Sequence, residues 1–563
     1  MEAKKAGHSI LSPMRAERGC MKPIRLMLLA AIAVGTFVVA PTVSRPLQGQ
    51  ARVQDEMVTM RDGTKLAVSM YFPAGTGPWP SVLTRTPYGK DVGDPAKNEA
   101  RYADNGYVRV LQDSRGKGKS EGTYRPFADD VEDGYDTIEW MAKQPWSNGK
   151  VGMSGTSAMA IATYNAAMSG APHFVAAFVT AGRGFTTPDG GVPMQHIEDW
   201  SRRQGVAPSN NPRPTFRTWG PIGPRDLRAF SDKIAIPFYS VGGWYDIFEK
   251  GILDGYTFLH EHGAPSVRNS QRLMLAAFGH GPLSGDLKYP ADGGSIAMGD
   301  PIRWFDFWMK GIDNGVMKDP PVKYFVMGDT RDSSAPGNAW KSSDIWPPTS
   351  TPTSYYLSGN HTLTTTQPGG ATKVAFVYDP KDPVPTVGGN NLGLDRGPMD
   401  QRKVSSRADV LKFETAPLRQ AIEVVGNLKA DLAVSTDAPD TDFTVKLVDV
   451  YPDGYEALVN DGAFRLRYAE GFDKQTHIEA GKQYVISVDL WATGLVFNAG
   501  HKIAVHVSSS NFPRFERHTN TWEPLASYDD SHKATNTVWL DGRSKIVLPV
   551  TETYAARPAT GGR

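Results

Sequence analysis

The sequence predicts an α/β domain built on a parallel sheet, followed by an all-β domain, and three observations carry that reading. From Met57 to Met309, apolar strand patterns alternate with helix patterns, the layout of a parallel sheet with helices on its faces. Within that alternation, Val151–Gly170 reads as a strand end, a tight turn of small residues and an Ala-rich helix closed by Gly170. From about Val322 onward no long helical period appears; short alternating apolar segments are cut by Gly, Pro, Asp and Asn. At 563 residues the chain exceeds what a single core holds, so two or three domains are expected.

The first 50 residues read as a leader. Lys22 and Arg25 precede the apolar run Leu26–Ala40, too short for a comfortable membrane span, and Pro41-Thr-Val-Ser follows. This is a signal-peptide layout, with the mature chain expected to start between about Ser44 and Arg52; an N-terminal anchor helix is the competing reading. The single cysteine, Cys20, lies upstream of the run, so a cleaved product would carry no disulfide.

Gln54–Ala74 reads as two strands around an Asp62-Gly63 turn. Strands follow at Pro80–Arg85 and Tyr107–Gln112. The loop Asp113-Ser-Arg-Gly-Lys-Gly-Lys-Ser is not a phosphate-binding loop, because Asp113 stands where the first glycine is required. Asp129–Lys143 is a helix capped by Asp129 or Asp130; its acidic first turn suits the helix dipole better than a calcium ion. Further strands are expected at Phe174–Thr180, Ile236–Gly243 and Arg272–Phe278, with helices at Gly251–His262 and Arg303–Met309. Ala181–Arg228, rich in Gly, Pro, Arg and Trp, breaks the rhythm and reads as a cap inserted over the site, within about 181–230. Pro347–Thr353 is the expected linker between a domain at 51–345 and a β-sandwich or jelly roll at 346–563.

Ser157 sits where a strand turns into a helix. Such a turn lifts the hydroxyl above the sheet and faces the next backbone N–H, at the positive end of a helix, toward the same space. Of the G-x-S-x-G signature Gly155 is present, whereas Met159 replaces the second glycine; Ser154 is a rival, two residues after Gly152. An elbow serine needs a base and an orienting carboxylate, in the chain order Ser, acid, His for α/β-hydrolases. Asp246 and His280 follow in that order, each just past a predicted strand and so at the same sheet edge as Ser157. His260 and His262 close a helix and suit its dipole rather than a metal; His501 and His506 are expected to face solvent or an interface.

Long stretches of the chain resemble the cocaine esterase-like hydrolases, a group that includes X-Pro dipeptidyl-peptidases and α-amino-acid ester hydrolases. They include Thr84-Arg-Thr-Pro-Tyr-Gly-Lys, Gln144-Pro-Trp-Ser-Asn-Gly-Lys-Val-Gly-Met-Ser-Gly-Thr-Ser, Gly243-Trp-Tyr-Asp and Trp304-Phe-Asp-Phe-Trp-Met-Lys-Gly. In the β region Ser435-Thr-Asp-Ala-Pro-Asp-Thr-Asp-Phe and Ser508-Ser-Ser-Asn-Phe-Pro-Arg-Phe match as well, so the resemblance runs from about Val53 to Val550. It implies an α/β-hydrolase domain with an inserted cap and a C-terminal jelly roll of galactose-binding-like type. It also implies Ser157 as nucleophile, Asp246 as acid and His280 as base, with an oxyanion hole formed by the Tyr88 hydroxyl and the Ala158 backbone N–H. Two departures stand out. The family's tyrosine after the nucleophile is Ala158 here, and its glycine three residues on is Ala160. Trp244 and Phe248, flanking Asp246, are candidate walls of an acyl pocket.

The expected activity is a serine hydrolase acting on small-molecule esters, amides or peptides through an acyl-enzyme, with no metal or organic cofactor. X-Pro dipeptidyl-peptidase activity is one alternative, and a non-catalytic binding protein with a relic site is another. The net charge of +1 gives no reason to expect nucleic acid or an anionic membrane as partner. No stable membrane span is expected after processing, export to the periplasm or medium follows from the leader, and a homo-oligomer stays open.

Overall fold

Two large sheets divide the structure, a computed structural model. It describes residues 52–555 apart from 94, 185–189, 195–199, 201–202, 205–226, 231–232, 295–298, 371, 473 and 524–526. The leader expected over 1–50 and most of the cap expected at about 181–230 lie outside the described residues.

The first sheet has ten strands. In chain order they are β1 (Val53–Thr59), β2 (Lys65–Tyr71), β3 (Trp79–Thr86), β4 (Val108–Asp113), β5 (Ser147–Thr156), β6 (Phe174–Thr180), β7 (Phe238–Tyr245), β8 (Arg272–Gly279), β9 (Val322–Val326) and β10 (Ala339–Ser343). Their spatial order is β1-β2-β4-β3-β5-β6-β7-β8-β9-β10. The run from β4 to β9 is parallel, and antiparallel strands lie at both edges. The central strands are buried on both faces, as Val151, Met153, Ala177, Val179, Val241 and Leu275 show, because helices cover each side. Those helices are α1 (Pro95–Asp104), α2 (Asp130–Ala142), α3 (Ala158–Ala167), α4 (Glu249–His262) and α5 (Pro301–Lys310). β9 pairs onto β8 and β10 onto β9, so the sheet runs on to Ser343.

Two sequence readings change in detail. Asp129 precedes α2 but makes no side-chain cap, pairing instead with Arg125. The acidic first turn is answered mainly by arginines. Arg85, fully buried, reaches Asp130 at 2.7 Å and Asp133 at 3.4 Å, and Arg115 reaches Asp133 at 2.6 Å. The loop after β4 folds around the Asp113 carboxylate, which accepts from the Lys90 and Lys119 amides at 2.5 and 2.8 Å.

The second sheet has eleven strands: β11 (Thr351–Ser358), β12 (Thr362–Thr364), β13 (Lys373–Tyr378), β14 (Leu411–Glu414), β15 (Ile422–Thr436), β16 (Asp442–Val450), β17 (Glu456–Arg465), β18 (Tyr484–Phe497), β19 (Lys502–Ser508), β20 (Ala534–Trp539) and β21 (Lys545–Thr553). Its path is β13-β20-β15-β21-β11-β12-β14-β19-β16-β17, with β18 on β15, and only β12 and β14 pair in parallel. The segments Ala421–Val424 and Leu428–Val434 are one long strand, β15, bent by an irregularity between Asn427 and Lys429. His501 and His506, expected at a surface, are both buried: each sits on β19 or at its start, facing carboxylates from neighbouring strands.

The sheets meet through main chain. Met327, just past β9, donates to the Gly494 carbonyl at 2.7 Å and accepts from Val496 at 2.9 Å, so β18 is tied to the end of the first sheet.

Candidate active site

Ser157 closes β5 with φ 61° and ψ −124°, a left-handed conformation that a non-glycine residue adopts only when its surroundings impose it. The Ser157 amide donates to the Thr180 carbonyl at 3.0 Å, and its own carbonyl accepts from Ala160 and Ile161 at 2.9 and 3.1 Å, so the turn is fixed from both sides. Gly155 is required here: a Cβ would lie 2.4 Å from the Met159 carbonyl. The alanine at position 160 has its own accommodation. A Cβ on Gly182 would lie 2.3 Å from the Ala160 Cβ, so the methyl that departs from the family pattern occupies space that Gly182 leaves empty.

The geometry separates the two serines. Ser154 is buried, its hydroxyl within 3.3 Å of the Tyr102 hydroxyl and 3.2 Å of Arg109 Nη1, and its carbonyl accepts from Thr84. Ser157 Oγ lies 2.8 Å from His280 Nε2. On the other side of the ring, His280 Nδ1 lies 2.9 Å from Asp246 Oδ2. Asp246 is fully buried just past β7, and its second oxygen accepts from the Phe248 amide at 2.7 Å. His280 stands just past β8, its side chain 11% exposed and the edge of the Phe248 ring against it at 5.5 Å. Three residues 123 and 34 positions apart in sequence thus form one hydrogen-bonded chain at the carboxyl edge of β5, β7 and β8.

Ala158 is the first residue of α3, so its N–H is among those a helix leaves without an intrahelical partner. Tyr88 follows β3, the neighbour of β5, and is 41% exposed. Its hydroxyl accepts from Trp200 Nε1 at 3.2 Å, which leaves the phenolic proton to donate elsewhere.

Beside Ser157 opens a small apolar pocket lined by Ser157, Ala158, Phe127, Ile161, Trp200, Ile247, Phe248 and Leu392. Trp200 stacks on Phe127 with ring centres 5.7 Å apart. Phe248 is among the residues that line this pocket. Trp244 is not: its buried indole donates to the Phe325 carbonyl at 2.7 Å and packs on Gly494, which makes it part of the contact with the second sheet. Ile161 and Ile247 were open to discovery from sequence, one a helical turn past Ser157 and the other next to Asp246. Leu392 was not, since it comes from the β domain more than 100 residues away.

The chain as a whole has counterparts among known sequences. The X-Pro dipeptidyl-peptidase (S15 family) model matches residues 62–218, and the X-Pro dipeptidyl-peptidase C-terminal non-catalytic domain model matches residues 314–548. The chain is 32% identical over 579 residues to the cocaine esterase of Rhodococcus sp. (strain MB1 Bresler), an alignment covering 88% of this chain and 97% of that one. The chain belongs to the cocaine esterase-like hydrolase family. As a member it is a serine hydrolase with an α/β-hydrolase domain and a C-terminal β domain. Among solved structures it is similar to an α-amino acid ester hydrolase, with a TM-score of 0.74 and 26% identity over 91% of this chain and 99% of that one. An aminopeptidase from a marine sediment Thaumarchaeota archaeon shares the fold, with a TM-score of 0.74 and 24% identity over 92% and 99% of the two chains.

Proposed function

We propose that this hydrolase cleaves esters with a compact apolar acyl group through a Ser157–His280–Asp246 triad and an acyl-enzyme. The observation that carries the reading is the unbroken chain of hydrogen bonds from Ser157 Oγ to the buried Asp246 carboxylate, beside an apolar pocket. Asp246 holds the His280 Nδ1 proton, so Nε2 presents its lone pair to Ser157. As Oγ bonds to the substrate carbonyl carbon, its proton passes to Nε2. The carbonyl oxygen becomes an anion held by the Ala158 N–H and the Tyr88 hydroxyl. Collapse expels the alkoxide, which takes the proton from Nε2; water then repeats the cycle on the acyl-serine. Each oxyanion donor is worth about 2.7–4 kcal/mol of transition-state stabilisation.

Apolar side chains make up most of the described pocket wall, which suits a compact apolar acyl group. X-Pro dipeptides and α-amino esters are the competing substrates. Export through the N-terminal signal segment completes the proposal, on the charge and apolar pattern of Lys22–Ala40.

A fluorophosphonate probe followed by peptide mapping tests the site: label on Ser157 that disappears in Ser157→Ala and persists in Ser154→Ala is expected. Label retained in Ser157→Ala removes the assignment. Rates on p-nitrophenyl benzoate, X-Pro anilides and α-amino esters rank the substrate classes, and N-terminal sequencing of exported protein places the cleavage.

A further inference from the structure

The β domain matches a model described as non-catalytic, yet one of its hairpins reaches the loops that carry both the acid and the base. Gly389 and Gly397 exchange main-chain hydrogen bonds of 3.0 and 3.1 Å and close that hairpin. Its root is tied into the β domain. Buried Gln401 donates to the Val387 and Met399 carbonyls at 2.7 and 2.9 Å. Arg514, fully buried and 3.1 Å from Asp461, donates to the Asn390 carbonyl.

Two side-chain donors cross from the hairpin to the end of β7 and to the loops past β7 and β8. Asn390 Nδ2 donates to the carbonyls of Trp244 and Asp246 at 3.1 and 3.2 Å, with the Asn390 side chain fully buried. Arg396 Nη1 donates to the His280 carbonyl at 2.5 Å. The main chain around His280 is shaped to admit it. A Cβ on Gly279 or on Gly281 would lie 2.7 Å from the Arg396 side chain, so the Gly-His-Gly sequence leaves a slot for this arginine. Gly281 also has φ 145°, which glycine alone adopts readily.

Sheet pairing cannot do this work. The β7–β8 ladder ends at Tyr245 and Gly279, one residue short of Asp246 and His280. Beyond it, the Asp246 carbonyl accepts from the Glu249 amide at 3.1 Å as well as from Asn390, and the His280 carbonyl accepts from Arg396.

We propose that Asn390 and Arg396 are positioning residues of the triad, holding the main chain of Asp246 and His280 from the β domain, so that domain sets the geometry of the reaction. The inference rests on the triad reading. Displacing a base by about 1 Å costs on the order of 10² in rate without weakening substrate binding in proportion.

The test uses the full chain with Arg396→Met, Arg396→Lys and Asn390→Ala. kcat and KM on a p-nitrophenyl ester, the rate constant for fluorophosphonate labelling and a thermal melt are measured for each. Arg396→Met and Asn390→Ala are expected to lose about 10–100-fold in kcat and in labelling rate together, with KM within about threefold, and Arg396→Lys to recover most of the loss. Folded variants whose kcat stays within about threefold overturn the proposal. So does a lysine no better than methionine, or a loss confined to the melting temperature. Failure of Arg396→Met and Asn390→Ala to fold overturns it too, by making the hairpin purely structural. Labelling of the wild-type protein at Ser157 is the separate control: its absence would remove the triad itself.

Discussion

Three histidine–aspartate pairs among the described residues have the same 2.9 Å separation, and only one of them faces a serine beside a pocket. His280 and Asp246 stand at the carboxyl edge of the first sheet, while His501–Asp449 and His518–Asp440 lie inside the β domain. The carboxylate is buried in all three. What differs is the far side of the ring. His280 Nε2 meets the hydroxyl of a strained serine beside an open pocket. His501 Nε2 meets a second carboxylate, Asp329, at 3.4 Å, and His518 Nδ1 accepts the Asn520 amide at 2.9 Å. A histidine held by an acid is therefore a structural tie in itself, and the proposed role of His280 as a base rests on its third partner and its access to solvent.

Substitutions on the two sides of this comparison should separate cleanly. The largest effect is expected from Asp246→Asn, which keeps the shape but removes the acceptor that fixes the His280 tautomer. kcat should fall by ~10⁴ with the melt little changed, as ester kinetics beside calorimetry would show. Asp440→Asn should do the reverse. It strips the charge that answers His518 and Arg467 in the interior, costing about 3–5 kcal/mol of stability, with turnover per folded molecule unchanged. Burial opposes ionisation of Asp440, but His518 and Arg467 outweigh it and hold its carboxyl down at about 2. Its contribution is thus present above the usual carboxyl pKa of 3.8 and lost as pH falls toward 2, so the variant should flatten the acid limb of a stability–pH curve.

Tyr88→Phe comes next, with kcat down ~10²–10³ and a wild-type melt if the phenol serves the oxyanion. A change under about threefold would move that role to main-chain donors of the Pro87–Lys90 turn. The smallest effect belongs to His501. Burial disfavours its charge, yet the hydrogen bond and charge of Asp449, with Asp329 behind, raise its pKa above the usual 6.5. The stabilisation is complete below that value and fades as pH rises through the raised one. His501→Gln should accordingly lower the melting temperature most near pH 6 and least in alkaline buffer.

How far the sequence revealed this site depended on how local each signal was. Ser157, Asp246 and His280 each follow a short, strongly apolar strand, and the order of those strands in the chain matches their order along one edge. The hairpin at Gly389–Gly397 left no such mark, because its partners lie more than 100 residues away and glycine, asparagine and arginine in a loop look like any turn. Trp244 misled for the same reason. An aromatic beside Asp246 reads as a pocket wall until the Phe325 carbonyl, on another strand, takes its indole proton. His501 looked solvent- or interface-facing because Asp449, the carboxylate that bonds it inside the domain, sits on a strand distant in sequence.

The fit of the Ala160 methyl over Gly182 makes these two positions epistatic. With Ala160 in place, Gly182→Ala drives two methyl carbons to 2.3 Å, beneath the turn that carries Ser157. Made after Ala160→Gly, which by itself costs roughly 1 kcal/mol in a helix, the same change is relieved of that clash. One order of substitution is passable and the other is not. A lineage that acquired alanine at 160 is thereby bound to glycine at 182, and the turn that carries Ser157 constrains a residue just past β6.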